Sequence, residues 1–435
     1  MAEQRDSFSS KLGFILSAIG FAIGMGTFWR FPYLCGQNGG AIFLFLYVIA
    51  MAFIALPLFA LEISMGSKSK KDAVGAYKFL APGKPWFING YANVLAMFLI
   101  ISSTIPIGSW VIVYFTRAVA GSFVGLSPEQ IVTYYDDNII NNPIEVSAWV
   151  IGIVILMTLI LRHRLDKGLE LANKVCIPLL FVMLIILAIR SMTLPGAAAG
   201  IEFVFNPDFS KLNAEVVLKA VGQAFYAVGV AMAVSIVFGS YMKDKDKQVV
   251  KNTLAVGIGI ISAAVLAGMM IFPCVFAFGQ TPEAGPHLIF VTMPNIFDQM
   301  PMGRLFSILF YILFFLAAFS TWLAGFEAMI ATMRDQFGFS RNKGVVIGAI
   351  LIAVLGVISA NKSEILLATD NIVGYLLTLG ALCVAAFGGW YWKLDTFFEE
   401  ADIKSPVFQG ILSVLIKFII PIVVTVLLLQ VIGWV

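Results

Sequence analysis

Apolar stretches long enough to cross a bilayer alternate with short polar segments from one end of the chain to the other. A helical crossing needs ~20 apolar residues. On that measure about eleven spans are expected, at 11–36, 41–66, 88–120, 146–161, 171–190, 215–241, 253–279, 303–333, 344–360, 366–392 and 408–434. The polar segments between them differ in charge. Lys68, Lys70, Lys71, Lys78 and Lys84 follow span two, and Arg162, Arg164, Lys167 and Lys174 surround the loop after span four. Lys243, Lys245, Lys247 and Lys251 follow span six, and Arg334, Arg341 and Lys343 follow span eight. Every even-numbered exit is basic, which places those loops and the N-terminus in the cytoplasm. The loop after span three, with Glu129, Asp136, Asp137 and Glu145, belongs outside, and an odd number of spans leaves Val435 outside as well. The compartment implied is the inner (plasma) membrane.

Two spans break the apolar pattern. Residues 13–40 read GFILSAIGFAIGMGTFWRFPYLCGQNGG, with Gly20, Gly24 and Gly26 within seven positions and Pro32 close behind. A glycine inside a helix is ~1 kcal/mol worse than alanine, and proline cannot donate the bond that would continue the helix. In lipid a broken helix survives only where protein, water or a ligand satisfies the freed peptide groups. Those carbonyls suit a hard cation, and the half-helix dipoles suit a charged solute. Close helix packing on a glycine seam is the alternative reading. Residues 222–233, GQAFYAVGVAMA, repeat the small-residue pattern in span six. Interruptions in the first and sixth of ten helices point to two five-span halves, 1–190 and 191–392, with an extra helix at 393–435 and a binding site at mid-membrane.

Composition narrows the class further. The chain of 435 residues is 60% hydrophobic and 12% charged, where soluble proteins carry about a quarter charged residues. An all-α polytopic membrane protein fits, and a nucleic-acid partner does not. Cys35, Cys176, Cys274 and Cys383 sit in or beside apolar runs without metal-ligand spacing, and His163 and His287 fall in separate loops. No Ser/His, Cys/His or paired-carboxylate arrangement stands on facing spans, which argues against an enzyme. No cleavable leader is visible before the first span.

The run GFAIGMGTFWRFPYLCGQNGGAIFLFLY, followed by PLFALEISMG, resembles the first two helices of the neurotransmitter:sodium symporter family, which has the LeuT fold. The resemblance continues through GQAFY, GMMIFPCVFAFG, FFLAAFSTWLAGFEAMIATMRD and TDNIVGY, and so covers nearly the whole chain. It implies a sodium-coupled secondary symporter importing a small solute, most naturally an amino acid or a similar compound, by alternating access. It also implies one Na+ site between spans one and eight, held by the backbone oxygens of Gly20, Ile23 and Ala317 and the hydroxyls of Ser320 and Thr321. Neutral oxygens suit a monovalent ion, since they add no excess charge that would favour a divalent one. Ala317, Ser320 and Thr321, at i, i+3 and i+4, share a helix face. Hydroxyls bonding back to their own helix would give the same pattern.

The family's other sodium site is eroded here, with Thr27, Ala227 and Ile260 at its positions. Tyr47 and Gln223 match a chloride pocket, but Ala227 and Ala264 lack the hydroxyls for it. Thr104 stands where amino-acid members hold the substrate carboxylate with a tyrosine. Either the carboxylate is held through the Gly24–Gly26 amides and Thr104, or the substrate is not an ordinary α-amino acid. The remaining lining implied is Ala22, Ile100, Tyr226, Gly229, Met232, Thr321 and Gly325, with room beside Gly325.

Arg30 and Asp370 match the family's external ion pair, with Gln223 beside Arg30 and Tyr226 roofing the pocket. Arg5 and Asp335 match the internal latch, near Tyr241. Phe8 replaces a tryptophan there, which predicts a looser closure. Glu62 and Glu327, acids in apolar helices, are expected to bond broken backbone. Two alternatives accompany the symporter reading: a non-transporting sodium or solute sensor of the same fold, and a proton-coupled transporter of a non-amino-acid solute using Glu62 or Glu327. The sequence leaves monomer and dimer equally open.

Overall fold

The computed structural model describes residues 5–140, 142–243, 248–280 and 287–434; Lys245 and Lys247 of the basic loop after span six lie outside them. Nine helices in the described residues are long and apolar enough to cross a bilayer: Ala41–Ser69, Phe87–Ala120, Pro143–Leu161, Leu169–Met192, Val249–Ala277, Gly303–Phe337, Arg341–Asn361, Glu364–Tyr391 and Pro406–Ile432. These are spans two to five and seven to eleven. Span one is split into Lys11–Ala22 and a second arm, Met25–Gln37, bent by 64° at the break. Span six is split into Ala214–Val228 and Val234–Ser240. The count therefore matches the eleven expected, and both breaks fall in the glycine- and alanine-rich stretches.

The first half of each broken span begins where its sequence supplies a cap. Ser10 accepts from the Gly13 N–H at the start of span one, and Asn213 accepts from Val216 N–H at the start of span six, which satisfies donors that a first helical turn leaves open. The break in span six is held in an unusual backbone. Gly229 has φ +73°, and Ala231 and Ala233 have φ +61° and +64°. Left-handed φ is costly for alanine, by roughly 1–2 kcal/mol per residue, so surrounding contacts must hold it. Glu62, fully buried in span two, supplies them: its carboxylate accepts from Ala231 N–H at 3.0 Å and from Ser235 Oγ at 2.6 Å.

The spans sort by enclosure. Spans two and three are 67% and 72% buried over their apolar cores, whereas spans four, nine and eleven are only 33% buried. The last three put residues such as Ile151, Ile155, Ile350, Val354 and Ile422 on the outer surface, as helices facing lipid do. Spans one, three, six and eight are thereby brought together at the centre, with both breaks facing span eight or span two rather than lipid.

Candidate functional site

At the break of span one, oxygen atoms crowd together. Ser320 Oγ lies 2.8 Å from Gly20 O and 2.9 Å from Ala317 O, and Thr321 Oγ1 lies 3.2 Å from Gly20 O, 2.9 Å from Phe21 O and 3.3 Å from Ala317 O. Ile23, with φ −88° and ψ 70°, is the residue at which the helix stops. Each hydroxyl bonds back to Ala317 O of its own helix and also reaches across to a carbonyl of span one. That crossing is what packing on glycine alone would not require. The cluster is neutral and buried, a donor set that fits a dehydrated monovalent cation, with the hydroxyl protons turning outward to expose their lone pairs.

Thr321 is shared with an adjoining cavity of about 50 Å³. Of the lining expected from the sequence, Ala22, Gly24, Gly26, Ile100, Thr104, Tyr226, Gly229, Met232 and Thr321 all border this cavity, and Gln223 does too. Gly26 allows a close approach of span six: a Cβ there would stand 2.6 Å from Tyr226 Cε1. Gly325 does not belong to the lining. The space expected beside it is filled, since a Cβ would meet Met97 Cε at 2.2 Å and Ile101 Cδ1 at 3.0 Å.

The sequence reading passed over Trp322, which lines the cavity and donates its indole N–H to Thr104 Oγ1 at 2.8 Å. A tryptophan in mid-span beside the two hydroxyl residues was the available signal, because a buried indole N–H requires an acceptor. Thr27 and Ala227 also border the cavity, whereas Ile260 is buried in span seven away from it.

The two ends of the site differ. Towards the basic face, Arg5 meets Asp335 at 2.6 Å, donates to Ser240 Oγ at 2.7 Å and 3.2 Å, and lies 5.4 Å from the Tyr241 ring. The neighbouring Asp6 is held by Arg334 at 2.8 Å, Arg341 at 3.2 Å and Arg164 at 3.5 Å, a second staple not foreseen from the sequence. Phe8 is packed into this closure. Its ring is 3% exposed and edges onto Phe14, Phe238 and Tyr241, and its N–H donates to Tyr241 O at 3.1 Å. Glu327 bonds no broken backbone either: it takes the Tyr241 hydroxyl at 2.9 Å and Arg341 at 2.6 Å and 3.1 Å. The reason is geometry, because the break of span six is already served by Glu62 from the other side.

At the opposite face, the expected Arg30–Asp370 pair is not formed. Among the described residues Arg30 makes no ion pair; its guanidinium stacks 4.7 Å from the centre of the Tyr226 ring, and Asp370 is exposed on span ten. Gln223, expected beside Arg30, is 1% exposed and borders the cavity, and its Oε1 has no partner among the described residues. The Arg5–Asp335 latch is thus formed at the basic face, while among the described residues Arg30 and Asp370 stay apart at the other.

Comparison with known proteins agrees with this geometry. A model of the sodium:neurotransmitter symporter family matches residues 5–127 and 129–433. The chain is similar to the uncharacterized sodium-dependent transporter YhdH of Bacillus subtilis (strain 168), 31% identical over 100% of this chain and 99% of that one. It is 32% identical to an uncharacterized sodium-dependent transporter of Haemophilus influenzae, over 98% of both. The crystal structure of MhsT in complex with L-phenylalanine superposes with a TM-score of 0.88 and 34% identity, over 98% of this chain and 100% of that one. More distant is the sodium- and chloride-dependent taurine transporter of Homo sapiens, 27% identical over 78% of this chain and 62% of its own length. A family match over almost the full length, joined to the broken-helix fold, makes this chain a member of the sodium:neurotransmitter symporter family, a multi-pass membrane protein of sodium-dependent transporters rather than enzymes.

Proposed function

We propose that this protein imports a small organic solute, an amino acid or a compound of similar size, driven by one sodium ion bound between spans one and eight. The observation that carries this reading is the oxygen cluster of Gly20, Ala317, Ser320 and Thr321, with Thr321 bordering the cavity as well. An ion there would take the carbonyls and hydroxyls of both spans, Ile23 O included, and so favour the arrangement in which the span-one break and span eight stay together. Thr27, Ala227 and Ile260 offer too few oxygens for a second ion. The L-phenylalanine of the MhsT structure supports a solute of amino-acid type.

The bundle carrying spans one and six, one from each five-helix half (1–190 and 191–392), then rocks against the remaining scaffold, the helix at 393–435 standing outside the repeat. The basic face with Arg5, Lys70 and Arg341 is the cytoplasmic one, and the C-terminus lies outside. In this cycle Arg5, Asp335 and Tyr241 gate the inside, and Arg30, Asp370 and Gln223 the outside. The test is uptake into sealed vesicles, with thermal stability of the purified protein in sodium and in potassium. Sodium-driven, saturable uptake, together with sodium-specific stabilisation that Ser320→Ala and Thr321→Ala each weaken, is the expected result. Stabilisation by sodium without uptake of any solute would identify a sensor instead. Equal behaviour in both salts with proton-driven uptake would move the coupling to Glu62 or Glu327. A coupling ratio of two sodium ions per solute would refute the single-site reading.

A further inference from the structure

The Trp322–Thr104 contact fixes the polarity of one cavity wall. An indole N–H can only donate, so Thr104 Oγ1, 2.8 Å away, accepts from it. The single hydroxyl proton of Thr104 points to Ile100 O at 2.6 Å, with Ile101 O at 3.4 Å as its second neighbour. What Thr104 has left for the cavity is one lone pair. Nor does any other side chain bring a charge to this wall: among the described residues the lining contains no Asp, Glu, Lys, Arg or His.

The contact is built in rather than incidental. Trp322 is 1% exposed, and its ring lies in the groove left by Gly108, one turn beyond Thr104 on span three. A Cβ at position 108 would stand 2.0 Å from the indole Cη2. Thr104 and Gly108, at i and i+4, present one face to span eight, so one supplies the acceptor and the other the space. Directly before Trp322 comes Thr321, whose hydroxyl reaches Gly20 O and Phe21 O of span one.

We infer that the Trp322–Thr104 pair is a selectivity device that makes the span-three wall of the cavity a hydrogen-bond acceptor, so that the bound solute turns an N–H or O–H towards Thr104. A carboxylate at this wall would set acceptor against acceptor, and an acid-bearing solute must keep that group elsewhere in the cavity. This rests on the proposed reading that the cavity holds an amino-acid-sized solute.

The test compares two probes that differ only at the acid, L-alanine and L-alaninamide, by the sodium-dependent binding of each to the purified full-length protein and to two variants. Thr104→Val keeps the shape but strips the indole N–H of its acceptor, leaving a buried donor facing the cavity. The affinity ratio of alaninamide to alanine should then fall about tenfold, the worth of one hydrogen bond made or lost at a buried group. Trp322→Phe removes the donor that fixes the hydroxyl and lets Thr104 turn its proton to a carboxylate, so the ratio should fall here too. Should Thr104→Val not fold, Thr104→Ala removes the same acceptor and carries the same expectation. The inference is overturned if either Thr104 variant loses alanine more than alaninamide, because the hydroxyl would then have been donating to the carboxylate. It is equally overturned if the ratio is the same in all the proteins, which is what purely structural packing predicts. Failure of both probes to bind the unsubstituted protein in sodium would sink the amino-acid-sized reading along with it, an outcome distinct from a ratio that moves the wrong way.

Discussion

Arg5 offers a quantitative check on the closed latch. Coulomb's law for its 2.6 Å contact with Asp335 gives about 6 kcal/mol at an effective dielectric constant of ~20. That is an upper bound, because the two side chains are 24% and 21% exposed, and exposed pairs contribute about 1 kcal/mol or less. The bonds to Ser240 at 2.7 Å and 3.2 Å share one acceptor and add about another 1 kcal/mol. Arg5→Ala should therefore shift the equilibrium at the basic face towards the open form by about 2 kcal/mol, or ~30-fold. A cysteine placed at Ser17, fully buried in span one behind the latch, reports the change once Cys35, Cys176, Cys274 and Cys383 are replaced. Its labelling by a water-soluble thiol reagent should accelerate by that factor, and the double exchange Arg5→Asp with Asp335→Arg should restore much of the protection. An unchanged labelling rate in Arg5→Ala, with a large increase in Asp6→Asn, would refute this assignment and give the closure to the Asp6 staple.

Two further predictions follow from buried acids. Asp72, buried at the start of the Ala73–Leu80 helix on the basic face, has its carboxyl pushed up to about 6, first by burial and then by the neighbouring Asp335. The folded protein thus retains a proton that the unfolded chain has lost, so this contribution is fully present below about pH 4 and is lost as pH rises through about 6. Melting temperatures of the parent and Asp72→Asn, compared between pH 4 and 7, should diverge in the parent's disfavour with rising pH; a constant difference would refute the assignment. Glu62→Ala strips two groups in the span-six break of their acceptor, Ala231 N–H and Ser235 Oγ, at about 1–3 kcal/mol for each group left unsatisfied. Chemical denaturation should show a loss of that order, several times that of Ser235→Ala, and equal losses would mean that Glu62 does not hold the break.

The architecture was legible because its causes are local. Span number follows from the length of apolar runs, the breaks from Gly20, Gly24 and the 222–233 stretch, and the shared helix face of Ala317, Ser320 and Thr321 from their i, i+3, i+4 spacing. None of these needs a distant residue to be known. What only the tertiary structure decided are relations between spans. Gly325 looked like open space, but Met97 from span three fills it. Glu327 was indistinguishable from Glu62 as an acid in an apolar helix, until packing placed Arg341 and Tyr241 against one and Ala231 and Ser235 against the other. Arg30 and Asp370 carry opposite charges on different spans, yet the guanidinium lies on Tyr226. The sequence left open whether Thr104 helps hold a substrate carboxylate; only the fold brings Trp322, 218 positions further along the chain, to donate to its hydroxyl oxygen. A hydroxyl can play either part, and the groups that choose between them arrive from elsewhere in the fold.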